Sequence, residues 1–268
     1  MSGEFSERYG PWAIVTGASS GIGAEFARQL AARKLNVVLV ARSKDKLETL
    51  ADELVKAHGI EARVAPADLM RADFLDALAP ALEDLDVGLL LNNAGYTLTG
   101  HVLDLPADKQ LGMVDLNCRA PLALTQHVGP KLKQRGRGGI IFTASVVGFG
   151  GAAYWATYNA TKGFAMLLAE GIGAELGPAG IDVQALCPGG TLTGFQAAGG
   201  VDAKKFGALA SLFFMKPEAV VSTSLRRLGG ARVVVPGFVN KMTVLSGRFI
   251  PRRLNTWILG RFVQLMAH

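Results

Sequence analysis

The chain has 268 residues, 50% of them hydrophobic and 19% charged, enough apolar material for one large α/β domain and too much for a disordered chain. Its two cysteines, Cys118 and Cys187, stand far apart without a Cys-x-x-Cys, which excludes a disulfide-framed secreted scaffold although it leaves one bridge open. The formal charge of +6 is uneven: residues 219–268 hold eight basic residues and no Asp or Glu, leaving 20 basic against 22 acidic residues before them. A basic tail of that kind suits nucleic acid, an anionic lipid surface or a phosphorylated substrate. The opening residues lack an apolar signal core, and no window offers the about 18 uninterrupted apolar residues of a membrane span, so a reducing cytoplasm is the expected location.

In chain order, Trp12–Thr16 reads as a short buried strand, followed by a glycine turn and an amphipathic run over Ala24–Arg33. Asn36–Ala41 is a second strand, and Ser43 is placed to N-cap a helix running to about His58. Ile60–Ala65 gives a third strand, Ala72–Leu85 a helix and Val87–Leu91 a fourth strand. A long helix covers about Ala107–Gln134; Gly139–Thr143 is a strand, Trp155–Leu176 a helix and Ile181–Leu186 a sixth strand. The strand runs are continuously apolar rather than alternating, as strands buried on both faces are. The alternation of strand and helix predicts a doubly wound parallel sheet in a single α/β domain, residues 1–236. Beyond Pro188 the glycines at 189, 190, 194, 199 and 200 and a helix over Ala203–Phe214 suggest a substrate lid over 189–215, or an ordinary surface loop. Pro217–Leu228 reads as a helix, Arg232–Val235 as one more strand, and 237–268 as a basic helical extension.

Thr16-Gly17-Ala18-Ser19-Ser20-Gly21-Ile22-Gly23 sits between strand and helix. Glycines there let the backbone turn tightly and approach a pyrophosphate, whose charge is met by free amides and the helix N-terminus. Further on, Tyr158 and Lys162 lie four residues apart, thirteen after Ser145. That spacing puts a phenol and an ammonium on one helix face, one turn apart. A phenol of ordinary pKa is only about one part in a thousand ionised at pH 7, and a neighbouring cation favours the phenolate. The pair is therefore a metal-free proton donor and acceptor for an alcohol or carbonyl oxygen. No histidine or cysteine has metal-ligand spacing, so no metal is expected; His58, His101, His127 and His268 read as surface residues. Tyr154 reads as packing or pocket wall, and the sequon Asn159-Ala160-Thr161 is discarded because it lies between catalytic candidates.

With the glycine loop, Asn92-Asn93-Ala94-Gly95, Ser145 and Tyr158-Asn159-Ala160-Thr161-Lys162, the chain resembles the short-chain dehydrogenase/reductase family over roughly residues 10–192. The resemblance implies a Rossmann-like fold that binds NAD or NADP and exchanges a hydride with a ketone or secondary alcohol. It carries the family's catalytic set onto Asn117, Ser145, Tyr158 and Lys162. Tyr158 would be the general acid/base, Ser145 would hold the substrate oxygen, Lys162 would bind the nicotinamide ribose and lower the phenol's pKa, and Asn117 would support a water-linked proton relay. Cofactor contacts are implied at Gly17, Ser19, Ser20, Gly21, Ile22 and Gly23, at Asp68 and Leu69 beside the adenine, and at Asn92, Ala94 and Gly95. Pro188, Gly189 and Thr191 would meet the nicotinamide carboxamide, although Gly190 departs from the bulkier residue often found there. At the end of the second strand Ala41 stands where an aspartate would select NAD, and Arg42 follows, which favours the 2′-phosphate of NADP(H).

Ile250, Leu254, Ile258, Phe262 and Leu265 form an apolar stripe near the C-terminus. It suits an interfacial helix at an anionic membrane, a helix capping a pocket for long acyl chains, or core and oligomer packing. The extension is similar to that of the family's long-chain 3-oxoacyl and hydroxysteroid reductases, implying an apolar, lipid-like substrate. The resemblance also implies a homodimer or homotetramer through the helices near 107–134 and 155–176. A dinucleotide-sensing regulator without turnover is the alternative reading; nucleic-acid binding is set aside because no aromatic interleaving accompanies the basic residues.

Overall fold

Successive strand residues feed opposite cores, and this alternation organises the molecule. The computed structural model describes residues 2–193 and 214–267. Among these, β1 (Trp12–Thr16), β2 (Asn36–Ala41), β3 (Ala62–Pro66), β4 (Val87–Asn92), β5 (Gly138–Thr143), β6 (Ile181–Leu186) and β9 (Val233–Val234) form one sheet. Its order is β3-β2-β1-β4-β5-β6-β9 and each pairing is parallel. A separate parallel pair joins β7 (Gly190–Thr191) to β8 (Phe214–Met215). Ile14, Val38, Leu90 and Ile140 enter one core with α4 (Phe74–Leu82), α6 (Ala120–Arg135) and α7 (Ala156–Leu176). Their neighbours Val15, Leu39, Leu91 and Ile141 enter the other, under α2 (Gly21–Ala31), α3 (Lys44–His58) and α8 (Pro217–Arg227). Both faces are covered, which is why the strands read as continuous apolar runs.

The strand order reverses between β1 and β4, and the crevice at their carboxyl ends is where such sheets bind ligands. Thr16 ties that crevice together. Its hydroxyl donates to the Leu91 carbonyl at 2.9 Å and accepts from the amides of Asn93 and Ala94 at 2.8 and 3.0 Å. The Asn93 side-chain amide donates back to the Thr16 carbonyl at 2.9 Å, and the Thr143 hydroxyl donates to Asn93 Oδ1 at 3.2 Å. The ends of β1, β4 and β5 are thereby locked together where the loops begin.

Element boundaries depart from the sequence reading by a few residues, and several departures have identifiable causes. Ser43 flanks α3 in an extended conformation but makes no side-chain capping bond. The expected helix over Ala107–Gln134 is α5 (Ala107–Val114), a π-helical turn at Asp115–Arg119, and α6. An unforeseen helix, α1 (Ser2–Tyr9), docks at the amino end of the sheet. Its Tyr9 ring is buried, and the Tyr9 hydroxyl and Arg8 Nε both donate to Asp182 Oδ2, at 2.7 and 2.6 Å. The extension is two helices, α9 (Phe238–Gly247) and α10 (Arg252–Ala267), broken at the turn before Pro251, whose ring cannot continue a helix interior. The proposed lid falls largely on residues 194–213, outside the described residues; Phe214, expected to end a helix there, lies in β8.

Gly23 sets how closely α2 meets the β1 end: a Cβ there would lie 2.2 Å from the Gly17 carbonyl oxygen. Both atoms are backbone-bound, so neither can swing away. Gly23→Ala is expected to destabilise the chain by about 1–3 kcal/mol, read as a lower urea midpoint; an unshifted midpoint would mean that the loop relaxes freely.

Candidate active site

One large cavity, about 1210 Å³, runs along the carboxyl edge of the sheet from the glycine loop to the C-terminal helices. Its floor at one end is the β1–α2 turn. Gly17 takes the left-handed conformation (φ 67°), which bends the chain around the strand end, and Ser19, Ser20, Gly21 and Ile22 continue along the wall. Gly23 does not line the cavity; it packs closely against the Gly17 carbonyl, as just described. Arg42 lies exposed on the same rim with Ala41 and Ser43, while Asp45 sits in the first turn of α3 away from the wall. Asp68 and Leu69 border the same end.

Ala94 and Gly95 line the cavity, but Asn92 does not. As the last residue of β4 it shares the parity of Leu90, so its side chain enters the core beneath α6. There it donates to Thr125 Oγ1 at 3.3 Å, and its Oδ1 is buried without a partner. Asn93, one residue beyond the strand, faces the cavity instead, and counting parity along Val87–Asn92 is the signal that finds it.

Ser145, Tyr158 and Lys162 meet on the opposite wall. Ser145 extends from the end of β5, and its hydroxyl donates to the Pro188 carbonyl at 3.3 Å and is hydrogen-bonded to Tyr158. Tyr158 and Lys162 lie on the buried face of α7 as their spacing requires. The Lys162 ammonium donates to the Thr143 carbonyl at 2.7 Å and lies 5.8 Å from the Tyr158 ring centroid. Trp155 packs edge-on against the Tyr158 ring, centroids 5.9 Å apart.

Electrostatically the pair differs from the sequence expectation. Burial pushes the Tyr158 phenol above its ordinary value, opposed by the hydrogen bond with Ser145. Burial also lowers Lys162 to about 8. Desolvation disfavours the charged form of each.

Asn117 is also off the cavity wall. The π turn carries it inward, where Nδ2 donates to the Tyr96 carbonyl and Thr161 Oγ1, both at 3.0 Å, and Oδ1 accepts from the Tyr96 amide at 3.2 Å. Its side chain thus clamps the post-β4 loop to α7. A Cβ on Gly95 would lie 2.9 Å from Asn117 Oδ1 and 3.6 Å from Lys162 Nζ, so the absence of a side chain there leaves the clamp room.

Pro188, Gly189, Gly190 and Thr191 follow β6 along the wall. At Gly189 a Cβ would fall 2.2 Å from Asn240 Oδ1, so this segment abuts α9 directly. From the extension, Val239, Asn240 and Thr243 of α9 and Ile258, Leu259, Phe262 and Val263 of α10 complete the cavity, a contribution the sequence reading offered only as one alternative. Val263 is buried with Ala152 against Tyr154, Trp155 and Leu259, and Gln264 donates to the Tyr154 hydroxyl. Tyr154 is therefore packing for α10, not cavity wall. His101 and His127 are exposed and His58 partly so; His268 lies outside the described residues. Both cysteines are free, with burial raising the thiols of Cys118 and Cys187 to about 11 and about 12. No cluster of potential metal ligands occurs among the described residues, and no helix among them is long and apolar enough to cross a membrane.

Comparison with known proteins agrees with this geometry. The model of the short chain dehydrogenase family matches residues 11–202. The very-long-chain 3-oxoacyl-CoA reductase of Podospora anserina is 38% identical over 192 residues, covering 69% of this chain and 56% of that protein. The chain therefore spans less than two thirds of that relative's length. The 7beta-hydroxysteroid dehydrogenase of Clostridium sardiniense is 32% identical over 263 residues, 98% of this chain and 99% of that one. Among solved structures, a short-chain dehydrogenase from Sphingobium yanoikuyae in complex with NADPH aligns with a TM-score of 0.77 at 34% identity, over 89% of this chain and 93% of that one. The doubly wound sheet, the glycine turn at its switch point and the family match across most of the sequence make this chain a member of the short-chain dehydrogenase family.

Proposed function

We propose that the chain is an NADP(H)-dependent oxidoreductase that interconverts a bulky, apolar ketone and its secondary alcohol. The observation that carries this reading is the convergence of Ser145, Tyr158 and Lys162 on one wall of a cavity that begins at the glycine turn and ends in apolar helices.

The residues fit a dinucleotide. The β1–α2 turn is a cradle, with Gly17 at φ 67° and Gly21 at φ 57°, and it ends at the positive N-terminus of α2. Ser19, Ser20, Gly21 and Ile22 would hold the pyrophosphate, Asp68, Leu69, Asn93, Ala94 and Gly95 the adenosine side, and Pro188, Gly189 and Thr191 the nicotinamide side. Arg42, exposed on the rim, suits a 2′-phosphate, and its neighbour at the end of β2 is Ala41 rather than a carboxylate that would claim a 2′-hydroxyl. A relative of 34% identity was solved with NADPH, which supports the same choice. When bound, the dinucleotide supplies the hydride.

The protein's own groups handle the oxygen. In the reductive direction charge develops on the carbonyl oxygen, which needs hydrogen bonds and a proton. Ser145 would donate one hydrogen bond, and Tyr158 Oη, raised by burial and so protonated at neutral pH, would deliver the proton. Lys162 then stabilises the phenolate left behind, a role that needs the charged amine. Its lowered value of about 8 still leaves it mostly protonated at pH 7. Asn117 positions this machinery through Tyr96 and Thr161 rather than touching the cavity.

The substrate end of the cavity is lined by Leu98, Leu111, Trp155, Ile258, Phe262 and Val263. Such a wall suits a fused-ring or long-chain ketone, the chemistry named in the reductase and dehydrogenase relatives. Exposed Val114 on α5 and Leu167 on α7 support self-association through those helices.

Tyr158→Phe is expected to lower kcat for NADPH-dependent reduction of a steroid or long-chain ketone by about 10²–10⁴-fold while NADPH binding survives; unchanged turnover would refute the acid/base role. Arg42→Asp is expected to cut the NADPH-over-NADH preference in kcat/KM by roughly 10–100-fold, and an unaltered ratio would remove the phosphate contact. A folded-state value lowered from 10.5 to about 8 means that protonated Lys162 destabilises the fold. That penalty is complete below pH 8 and is relieved as pH rises toward 10.5, while the phenol, ordinarily at 10.0, stays neutral over most of the window. Relative to Lys162→Met, the cofactor-free protein should therefore gain urea stability from pH 8 to 10; a difference that does not change with pH would contradict it.

A further inference from the structure

The C-terminal helices cap the cavity with one face, and their opposite faces are apolar too. On α9 the cavity-lining side is Val239, Asn240 and Thr243. The other side carries Phe238, Met242 and Leu245, continued by Phe249, whose amide donates to the Ser246 carbonyl and prolongs the last turn. The steps i, i+4, i+7 and i+11 form a single narrow stripe on a 3.6-residue helix. Phe238 is 76% exposed and Phe249 81%. On α10, Val263 and Leu259 face the body, and Leu254, Trp257 and Leu265 turn outward, Trp257 at 62% and Leu265 at 75% exposure. Soluble surfaces seldom present so many large side chains together without a partner.

Cations frame both stripes. Lys241, Arg248, Arg252, Arg253 and Arg261 are all exposed, and the last fifty residues contain no carboxylate side chain. Aromatic side chains beside Lys and Arg on an outward helix face are what a helix lying in a lipid headgroup layer requires. Pairing with a second copy through this face is disfavoured, because a two-fold contact sets one cationic patch against its equal.

We infer that the outward face of α9 and α10 is a docking surface for an anionic lipid bilayer, with Phe238, Phe249, Trp257 and Leu265 entering the interface and the arginines meeting acidic headgroups. Ile258 and Phe262 line the cavity and are still exposed at its edge. The apolar surface is thus continuous from the outer stripe to the cavity mouth. The inference does not depend on the proposed reaction, since it concerns only the surface.

Flotation of the full-length protein with vesicles tests it. Vesicles of phosphatidylcholine carrying phosphatidylserine should bind the protein, phosphatidylcholine alone should bind it much less, and raised salt should weaken the anionic case. Arg252→Glu with Arg253→Glu should weaken binding about tenfold or more, and Phe249→Ser with Trp257→Ser about tenfold or more, both with circular-dichroism melting curves close to wild type. No flotation of the wild type, or equal flotation of wild type and both variants, would overturn the inference. So would a change of oligomeric state by gel filtration in the aromatic variant with vesicle binding retained, which would assign the face to a second copy of the chain.

Discussion

A lysine held out of water is the constraint on which the site depends. Lys162 is buried on α7, and its ammonium is anchored by one strong contact, the Thr143 carbonyl at the end of β5. That carbonyl is free because β5 stops there and the chain turns toward Ser145, so strand end, helix face and cation position are one geometric fact. Removing the ammonium from solvent is costly unless nearby dipoles compensate, and the lowered value of about 8 records incomplete compensation. The same dry wall raises the phenol. A site built this way is strained toward neutrality at rest. Charge separated between phenol and substrate oxygen would meet dipoles already in place, with little water to reorganise.

Around that wall, the sheet's carboxyl edge is held by hydrogen bonds made by residues outside the Ser145, Tyr158 and Lys162 cluster. Thr16 and Asn93 join β1, β4 and β5 through five bonds of 2.8–3.2 Å. Asn117 joins the post-β4 loop to α7. Each side chain is short and has most of its polar capacity used, so it specifies position with little loss of rotamer freedom. The π turn at Asp115–Arg119 belongs to this group: widening the helix by one residue turns Asn117 toward Thr161 without breaking the run from α5 to α6.

Much of this was legible in the residues, and the exceptions share a cause. Continuous apolar runs marked β1, β2, β4, β5 and β6 because each is buried on both faces, and the four-residue step from Tyr158 to Lys162 placed both on one face of α7. The choice between Asn92 and Asn93 was also available, since strand parity sends Asn92 into the core with Leu90. What could not be read was burial created by distant segments. The phenol's upward shift comes from surroundings assembled from β5, β6, α7 and the extension, whereas the sequence displayed only a cation one turn away. The helix α1 was invisible for the same reason: it is polar in composition, and its anchors, Phe5 and Tyr9 with rings 4.6 Å apart, find their partners in a sheet edge and in Asp182, 173 residues on.

The extension was ambiguous because its helices are apolar around more of the circumference than one contact needs. A stripe can cap a pocket or face a bilayer; α10 carries residues for both, with Leu259 and Val263 on one side and Leu254, Trp257 and Leu265 on the other. The two faces are coupled through α9. Asn240 donates to the Pro236 carbonyl at 2.8 Å and sits where any side chain on Gly189 would collide with it. A displacement of α9 would therefore be felt directly by the segment after β6 that lines the cavity beside Ser145. The contact is between the Gly189 backbone and the Asn240 side chain, which its hydrogen bond to Pro236 holds in place. The glycine at 189 is best understood in this way: with no side chain of its own, it lets Asn240 of the cap sit directly against the cavity wall.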